Sequence, residues 1–168
     1  MRVIGVVGWK NNGKTTLVVR LIEHLVARGY RVSTVKHAHH EADLDRPGKD
    51  SWRHREAGAA EVMLATARRW ALVHELRDEP EPPLDAILAR LSPADLVIVE
   101  GFKSFPHPKV EVHRAERGTP LIARDDPTVV AVASDEPLPD LAVPVLGLDD
   151  VPAIADLILR RLELEQRP

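Results

Sequence analysis

The stretch Val3-Ile4-Gly5-Val6-Val7-Gly8-Trp9-Lys10-Asn11-Asn12-Gly13-Lys14-Thr15 carries two signals in sequence. Val3 to Val7 is a short, unbroken apolar run, as a strand buried on both faces requires. It runs directly into a segment that satisfies G-x-x-x-x-G-K-[ST] at every fixed position, Gly8, Gly13, Lys14 and Thr15. The spacing has a chemical reason. Glycines let successive N–H groups curl around an anion, and the N-terminus of the following helix adds its partial positive charge. Lys14 is placed to reach the outer phosphates of a nucleoside triphosphate, and the Thr15 hydroxyl to ligate magnesium. The expected nucleotide contacts are Gly8, Asn11, Asn12, Gly13, Lys14, Thr15 and Thr16.

Outward from this loop, residues 15–28 carry apolar side chains at Leu17, Val18, Leu21, Ile22, Leu25 and Val26, which is helical spacing, and Gly29 is placed to end the helix. Residues 31–36 read as a second strand. A polar loop over 37–49 contains Pro47-Gly48, and Asp50 is positioned to cap a helix running to about Ala60. Residues 62–65 and 70–76 read as strands, 84–91 as a short helix, and 96–99 as a buried strand ending on Glu100-Gly101. In 110–114, Val110, Val112 and Arg114 alternate with Glu111 and His113. That pattern predicts a half-exposed hairpin strand whose open edge invites pairing with a second copy. Two further strands fall at 129–133 and 143–146. Asp149 or Asp150 caps a last helix whose apolar face is Val151, Ile154, Ala155, Ile158 and Leu162. Strands alternating with helices predict one α/β domain over 1–168, a mostly parallel sheet with helices on both faces and an additional β-hairpin.

Composition narrows the function classes. The chain has 168 residues, a net charge of -3 and basic residues spread along its length, which gives no electrostatic footprint for nucleic acid. No apolar run approaches the ~18 residues of a membrane span. Cysteine is absent, so disulfides, thiolate metal sites and a cysteine nucleophile are excluded. A cytoplasmic protein is the expectation.

A magnesium site needs a carboxylate beside the loop, and Leu96-Val97-Ile98-Val99-Glu100 delivers one at the end of an apolar strand. Glu100 is the expected metal or water-positioning residue, with Lys14 and Asp50 as its catalytic companions. Asp50 has two readings, a helix cap or a switch element near magnesium. His37 and His39 face the same way on an extended segment, as metal ligands or as contacts to a phosphate. Lys49, Arg53 and Lys103 could neutralise a second anion. Asp135, after a late strand, is the candidate acceptor for guanine by analogy of position. The only glutamine is Gln166, so no glutamine near the loop can orient water. The expected activity is at most a slow magnesium-dependent nucleotide hydrolysis, below ~0.1 s⁻¹.

Four segments together carry a family resemblance. They are residues 8–17; Lys36-His37-Ala38-His39-His40; Pro47-Gly48-Lys49-Asp50-Ser51 with Arg53, Arg55 and Ala57-Gly58-Ala59; and Val99-Glu100-Gly101-Phe102-Lys103. In order and spacing the chain resembles the molybdopterin-guanine dinucleotide biosynthesis adaptor family, MobB, over about residues 1–135. The resemblance implies a GTP- and magnesium-binding protein of the SIMIBI P-loop class that works as a homodimer. It implies a role beside the molybdenum cofactor guanylyltransferase, the nucleotidyltransferase that joins GMP to molybdopterin, and a weak GTPase activity. Two other classes compete. A P-loop small-molecule kinase would need an arginine-rich lid, for which Arg114, Arg117 and Arg124 are the only loose cluster. A nickel metallochaperone GTPase would need a metal-binding cysteine.

Overall fold

The structure, a computed structural model, describes residues 1–38 and 45–165. It divides into two compact units, one of residues 1–37 and 87–168 and the other of residues 38–86.

The larger unit is built on a six-stranded sheet of β1 (Arg2–Val7), β2 (Val32–Lys36), β5 (Leu96–Glu100), β6 (Lys109–His113), β7 (Val129–Ser134) and β8 (Val145–Gly147). Their spatial order is β2-β5-β1-β6-β7-β8, and every pairing is parallel. Chain connectivity leaves β1 toward β2 on one side, and the β5-to-β6 connection crosses to the other, so β1 and β6 flank the point where strand order reverses. In open α/β sheets, ligands bind outside the carboxyl ends of the strands at such a point.

The apolar run of β1 does what a doubly covered strand must. Ile4 and Val6 point into one core layer and Val7 into the other. The first layer is closed by α1 (Lys14–Ala27) and α4 (Val151–Arg161), whose Leu17, Leu21, Leu25, Ile154, Ile158 and Leu159 are buried. The second layer joins Val7, Leu121, Val129 and Val132, with Ile122, Leu138 and Val143 packed against them. Full burial of an aliphatic side chain contributes about 1.5–3 kcal/mol, so the first layer dominates the stability of this unit. Asp150 caps α4, its side chain accepting from Ala153 N at 3.1 Å, while Asp149 instead pairs with Arg20 at 2.5 Å.

The expectation for 110–114 is overturned. β6 is neither a hairpin strand nor half-exposed; it is parallel, lies between β1 and β7, and all five of its residues are buried. Its polar side chains are bonded internally, His113 Nδ1 excepted, which has no hydrogen-bond partner among the described residues. Lys109 Nζ donates to Phe105 O at 2.6 Å, to Asp126 at 3.1 Å and to Thr128 Oγ1. Glu111 accepts the N–H groups of Ile122 and Ala123 at 2.9 and 2.8 Å, and His113 Nε2 lies 3.3 Å from Glu136. Alternating polarity here marks inward hydrogen bonds, not water. The argument for pairing with a second copy through this strand therefore falls.

The smaller unit holds α2 (Asp50–Glu56) and an antiparallel hairpin of β3 (Glu61–Ala65) and β4 (Trp70–His74), with Met63 opposite Leu72. The sequence reading set its hairpin at 110–114 and read 62–65 and 70–76 only as two strands; the antiparallel hairpin of the fold is formed by those two. Asp50 does not cap α2: Lys49 occupies the N-cap position, no side chain caps the helix, and it ends at Glu56. Arg55 organises the unit, bonding Glu75 at 2.6 Å and lying 3.6 Å from Asp45, which in turn accepts from Ser51 Oγ at 2.9 Å. The short helix α3 spans Leu84–Leu88, one turn less than its apolar pattern suggests. Among the described residues no helix is long and apolar enough to cross a membrane.

Candidate nucleotide-phosphate site

The loop between β1 and α1 is shaped by backbone conformation. Gly8, Asn11 and Gly13 have φ of 147°, 66° and 95°. Glycine takes such values freely, and asparagine tolerates the left-handed region better than other residues. At Gly8 a side chain is excluded in any case, because a Cβ there would sit 2.5 Å from Val112 O. The loop thus rests directly on the backbone of β6.

Asn12 fixes that register. It is fully buried, and its Nδ2 donates to Val112 O at 3.1 Å and to Thr119 Oγ1 at 3.4 Å. Trp9 adds a second fastening through Nε1–H to Pro120 O at 2.7 Å. Asn12 was expected among the nucleotide contacts; its side chain is engaged in holding the loop, and its backbone N–H donates to Trp9 O at 3.3 Å. Sequence reading missed this anchoring, and the signal was available only as a pair of asparagines in an otherwise asparagine-free chain.

At the start of α1, Lys14 Nζ donates to Trp9 O at 2.9 Å, and Thr15 Oγ1 donates to Glu100 Oε1 at 2.8 Å. Register explains why Glu100 arrives there: β5 pairs it with Val6 on one side and Lys36 on the other, at the carboxyl ends of all three strands. Lys36 Nζ lies 3.7 Å from Glu100 Oε1. Lys103 stands over the Trp9 ring, 4.1 Å from its centroid. Burial lowers the pKa of Lys14 below the ordinary lysine value; Glu100 opposes that shift, while Lys103 and Lys36 reinforce it. Lys14 and Lys36 thus lie beside the Glu100 carboxylate, with Lys103 close enough to act on the Lys14 charge, at the start of a helix. Lys36 was quoted in the sequence motif but not chosen as a site residue.

A hydroxyl and a carboxylate oxygen in contact are a hard donor set. Magnesium takes one or two such groups, keeps several waters and completes its shell with phosphate oxygens, so Thr15 and Glu100 fit it. Among the described residues no three His, Asp or Glu side chains gather into a self-contained metal cage. His37 stacks on Phe102 with centroids 4.5 Å apart, and its N–H donates to Glu100 O at 2.9 Å. His39 lies outside the described residues. Gly101 turns the chain with φ +97°, where a Cβ would meet His37 Cβ at 3.0 Å.

Asp135 follows β7 and is partly exposed. Its Oδ1 accepts from Ala115 N at 2.9 Å and its Oδ2 lies 3.5 Å from Arg114 Nη1. Asp50, Lys49 and Arg53 belong to the smaller unit, all exposed on or beside α2. The structure therefore brings together the loop, Glu100, Lys36 and Lys103, and joins Asp135 to Arg114.

The family described as "Molybdopterin guanine dinucleotide synthesis protein B" matches residues 3–135. The chain is 44% identical over 158 residues to the molybdopterin-guanine dinucleotide biosynthesis adapter protein of Haemophilus influenzae, covering 92% of this chain and 86% of that one. It is 43% identical over 158 residues to the Escherichia coli protein of the same name, covering 92% and 90%. A solved structure titled as molybdopterin-guanine biosynthesis protein B superposes with a TM-score of 0.76 at 30% identity, over 96% of this chain and 99% of that one. With the site's architecture on a parallel sheet of the same fold, these likenesses place the chain in the MobB family.

Proposed function

We propose that this protein is a GTP-binding adapter in molybdopterin-guanine dinucleotide biosynthesis, assisting the nucleotidyltransferase that attaches GMP to molybdopterin. The adapter role comes from the names its relatives carry. The nucleotide reading rests chiefly on one observation, the Thr15–Glu100 hydrogen bond of 2.8 Å beside Lys14. A P-loop hydroxyl and a strand-end carboxylate in contact are the protein's share of a magnesium-triphosphate site.

Thr15 and Glu100 would hold magnesium, which would neutralise charge on the phosphates. Lys14, Lys36 and Lys103 supply the cationic surround, and the N–H groups of the loop orient the phosphate chain. Asp50 is a second acidic residue for the same role, and Asp135 an acceptor for guanine N1–H and its 2-amino group. The only glutamine of the chain, Gln166, lies far from the loop in sequence, which supports turnover below ~0.1 s⁻¹ and a function in presenting nucleotide rather than consuming it. The homodimer and the contact to molybdopterin through His37, His39, Lys49, Arg53 and Lys103 belong to the same reading.

The test is a binding panel of GTP and ATP with and without magnesium, run on the unmodified protein, Glu100→Gln and Asp135→Asn. Magnesium should tighten GTP binding in the unmodified protein, and Glu100→Gln should reduce that gain about tenfold or more. Asp135→Asn should narrow the preference for GTP over ATP. Binding indifferent to magnesium and to Glu100 would refute the site, and rapid phosphate transfer to a small molecule would favour a kinase.

A further inference from the structure

Arg114 was singled out above only as part of a loose arginine cluster, yet the fold gives it a specific position. It follows the last residue of β6 in extended conformation, φ -130° and ψ 124°, at the carboxyl end of the strand beside β1. There its guanidinium lies along the phosphate loop: a Cβ built on Gly13 would sit 3.4 Å from Arg114 Nε and 3.7 Å from Nη2. Gly13 is the residue whose N–H, with those of its neighbours, addresses the inner phosphates of a P-loop ligand. Lys14, Glu100 and Lys36 serve the outer phosphate and the metal. The inner side of the loop has no cationic side chain among them.

The partner of Arg114 is held in an informative way. Asp135 is anchored through Oδ1, which accepts the Ala115 N–H at 2.9 Å, while Oδ2 is 3.5 Å from Arg114 Nη1. That separation is an ion pair but longer than a charge-assisted hydrogen bond, which runs about 2.7–2.9 Å. The guanidinium is about one-third exposed. It is thus beside the loop, loosely paired and reachable from solvent.

Resting on the nucleotide reading above, we propose that Arg114 is a phosphate-binding residue supplied in cis, closing on the α- and β-phosphates of the bound nucleoside polyphosphate, with Asp135 positioning it beforehand. The guanidinium leaves the long Asp135 contact for a forked one to phosphate oxygens, and Oδ2 of Asp135 is released. Because the contact is to inner phosphates, it does not distinguish triphosphate from diphosphate. Arg114 is a binding residue here and takes no part in bond breaking.

The experiment uses a base-free probe, magnesium-tripolyphosphate, competing with a fluorescent GTP analogue on the full chain. Arg114→Gln, which keeps a polar stem, should weaken tripolyphosphate, GDP and GTP alike by roughly 10–100-fold. Arg114→Lys should recover part of that loss. Asp135→Asn should weaken tripolyphosphate less than Arg114→Gln does, because it removes the positioning partner and leaves the guanidinium itself. Thermal unfolding of each variant separates loss of fold from loss of contact, and Arg114→Lys serves if Arg114→Gln does not fold. Equal tripolyphosphate affinity in Arg114→Gln and the unmodified protein overturns this inference and leaves the phosphate loop intact. So does an equal loss in Arg114→Gln and Asp135→Asn, which would make the pair a structural one. Failure of the unmodified protein to bind either GTP or tripolyphosphate overturns the nucleotide reading itself.

Discussion

Strand β6 and the β3–β4 hairpin invert each other's sequence logic. In β6, Lys109, Glu111 and His113 are 1%, 0% and 5% exposed. In the hairpin, Met63, Leu64, Trp70 and Leu72 are 60%, 55%, 63% and 40% exposed. Charged residues lie in the core of one unit while large apolar residues lie on the surface of the other. Residue class did not decide burial in either place. What decided it was whether each polar side chain had an internal partner for at least one of its atoms and whether the strand had neighbours on both edges. The distinction matters for function, since β6 is also the bed on which the phosphate loop lies.

The largest effect should come from removing one of those internal partners. Glu111→Ala leaves the N–H groups of Ile122 and Ala123 without their carboxylate. It should destabilise the protein by about 3–5 kcal/mol, read from chemical denaturation. A loss under about 1 kcal/mol would mean that water substitutes for the carboxylate and that β6 is not sealed.

Gly8→Ala attacks the contact between loop and strand. The new Cβ would meet Val112 O at 2.5 Å from a backbone with φ 147°. The expected cost is about 2–3 kcal/mol, with weakened nucleotide binding as the loop lifts from β6. Full stability together with full binding would show that the loop does not depend on that bed.

The next effect is one of pH. Burial, then the charge of Lys109, lowers the His107 imidazole to about 4 from 6.5, against the opposing pull of Asp126. The unfolded chain therefore binds more protons than the folded one between these values, and stability rises with pH there. It should be complete above about 6.5 and fall as the pH drops toward 4. The loss should be on the order of 1–2 kcal/mol, since the ring is only partly shielded from solvent. Thermal melts across that window check the sign, and His107→Leu should flatten the curve.

The smallest effect belongs to the hairpin. Met63→Lys replaces an exposed apolar residue and should change the stability of the isolated chain by no more than about 0.5 kcal/mol. A large loss would show that this face is covered in solution.

How much of this could be read from residues alone follows the same contrast. The loop, α1, β5 and the arrival of Glu100 were all readable, because an apolar strand and a phosphate motif are local patterns with one solution. The hairpin was readable as two strands. β6 was not, because Lys109 and Glu111 find their partners at Asp126, Ile122 and Ala123, contacts that no periodicity contains. The cap of α2 failed for a related reason: Asp50 offered the right chemistry, but the turn at Pro47-Gly48 put Lys49 at the N-cap position. Asn12 was chosen for the nucleotide, and its side chain is also a fastening, since it reaches Val112 across a distance in sequence that only the sheet closes. Local motifs yield the site's chemistry, and the tertiary pairing yields what holds it still.

The most direct measurement is isothermal titration of the unmodified protein and Lys14→Ala with GTP in the presence of magnesium, alongside a melt of each. The account predicts saturable binding that weakens at least ~10-fold in Lys14→Ala, the loss of one charge-assisted phosphate contact, with little change in thermal stability. Equal affinity in the two proteins, or no GTP binding by either, would contradict it.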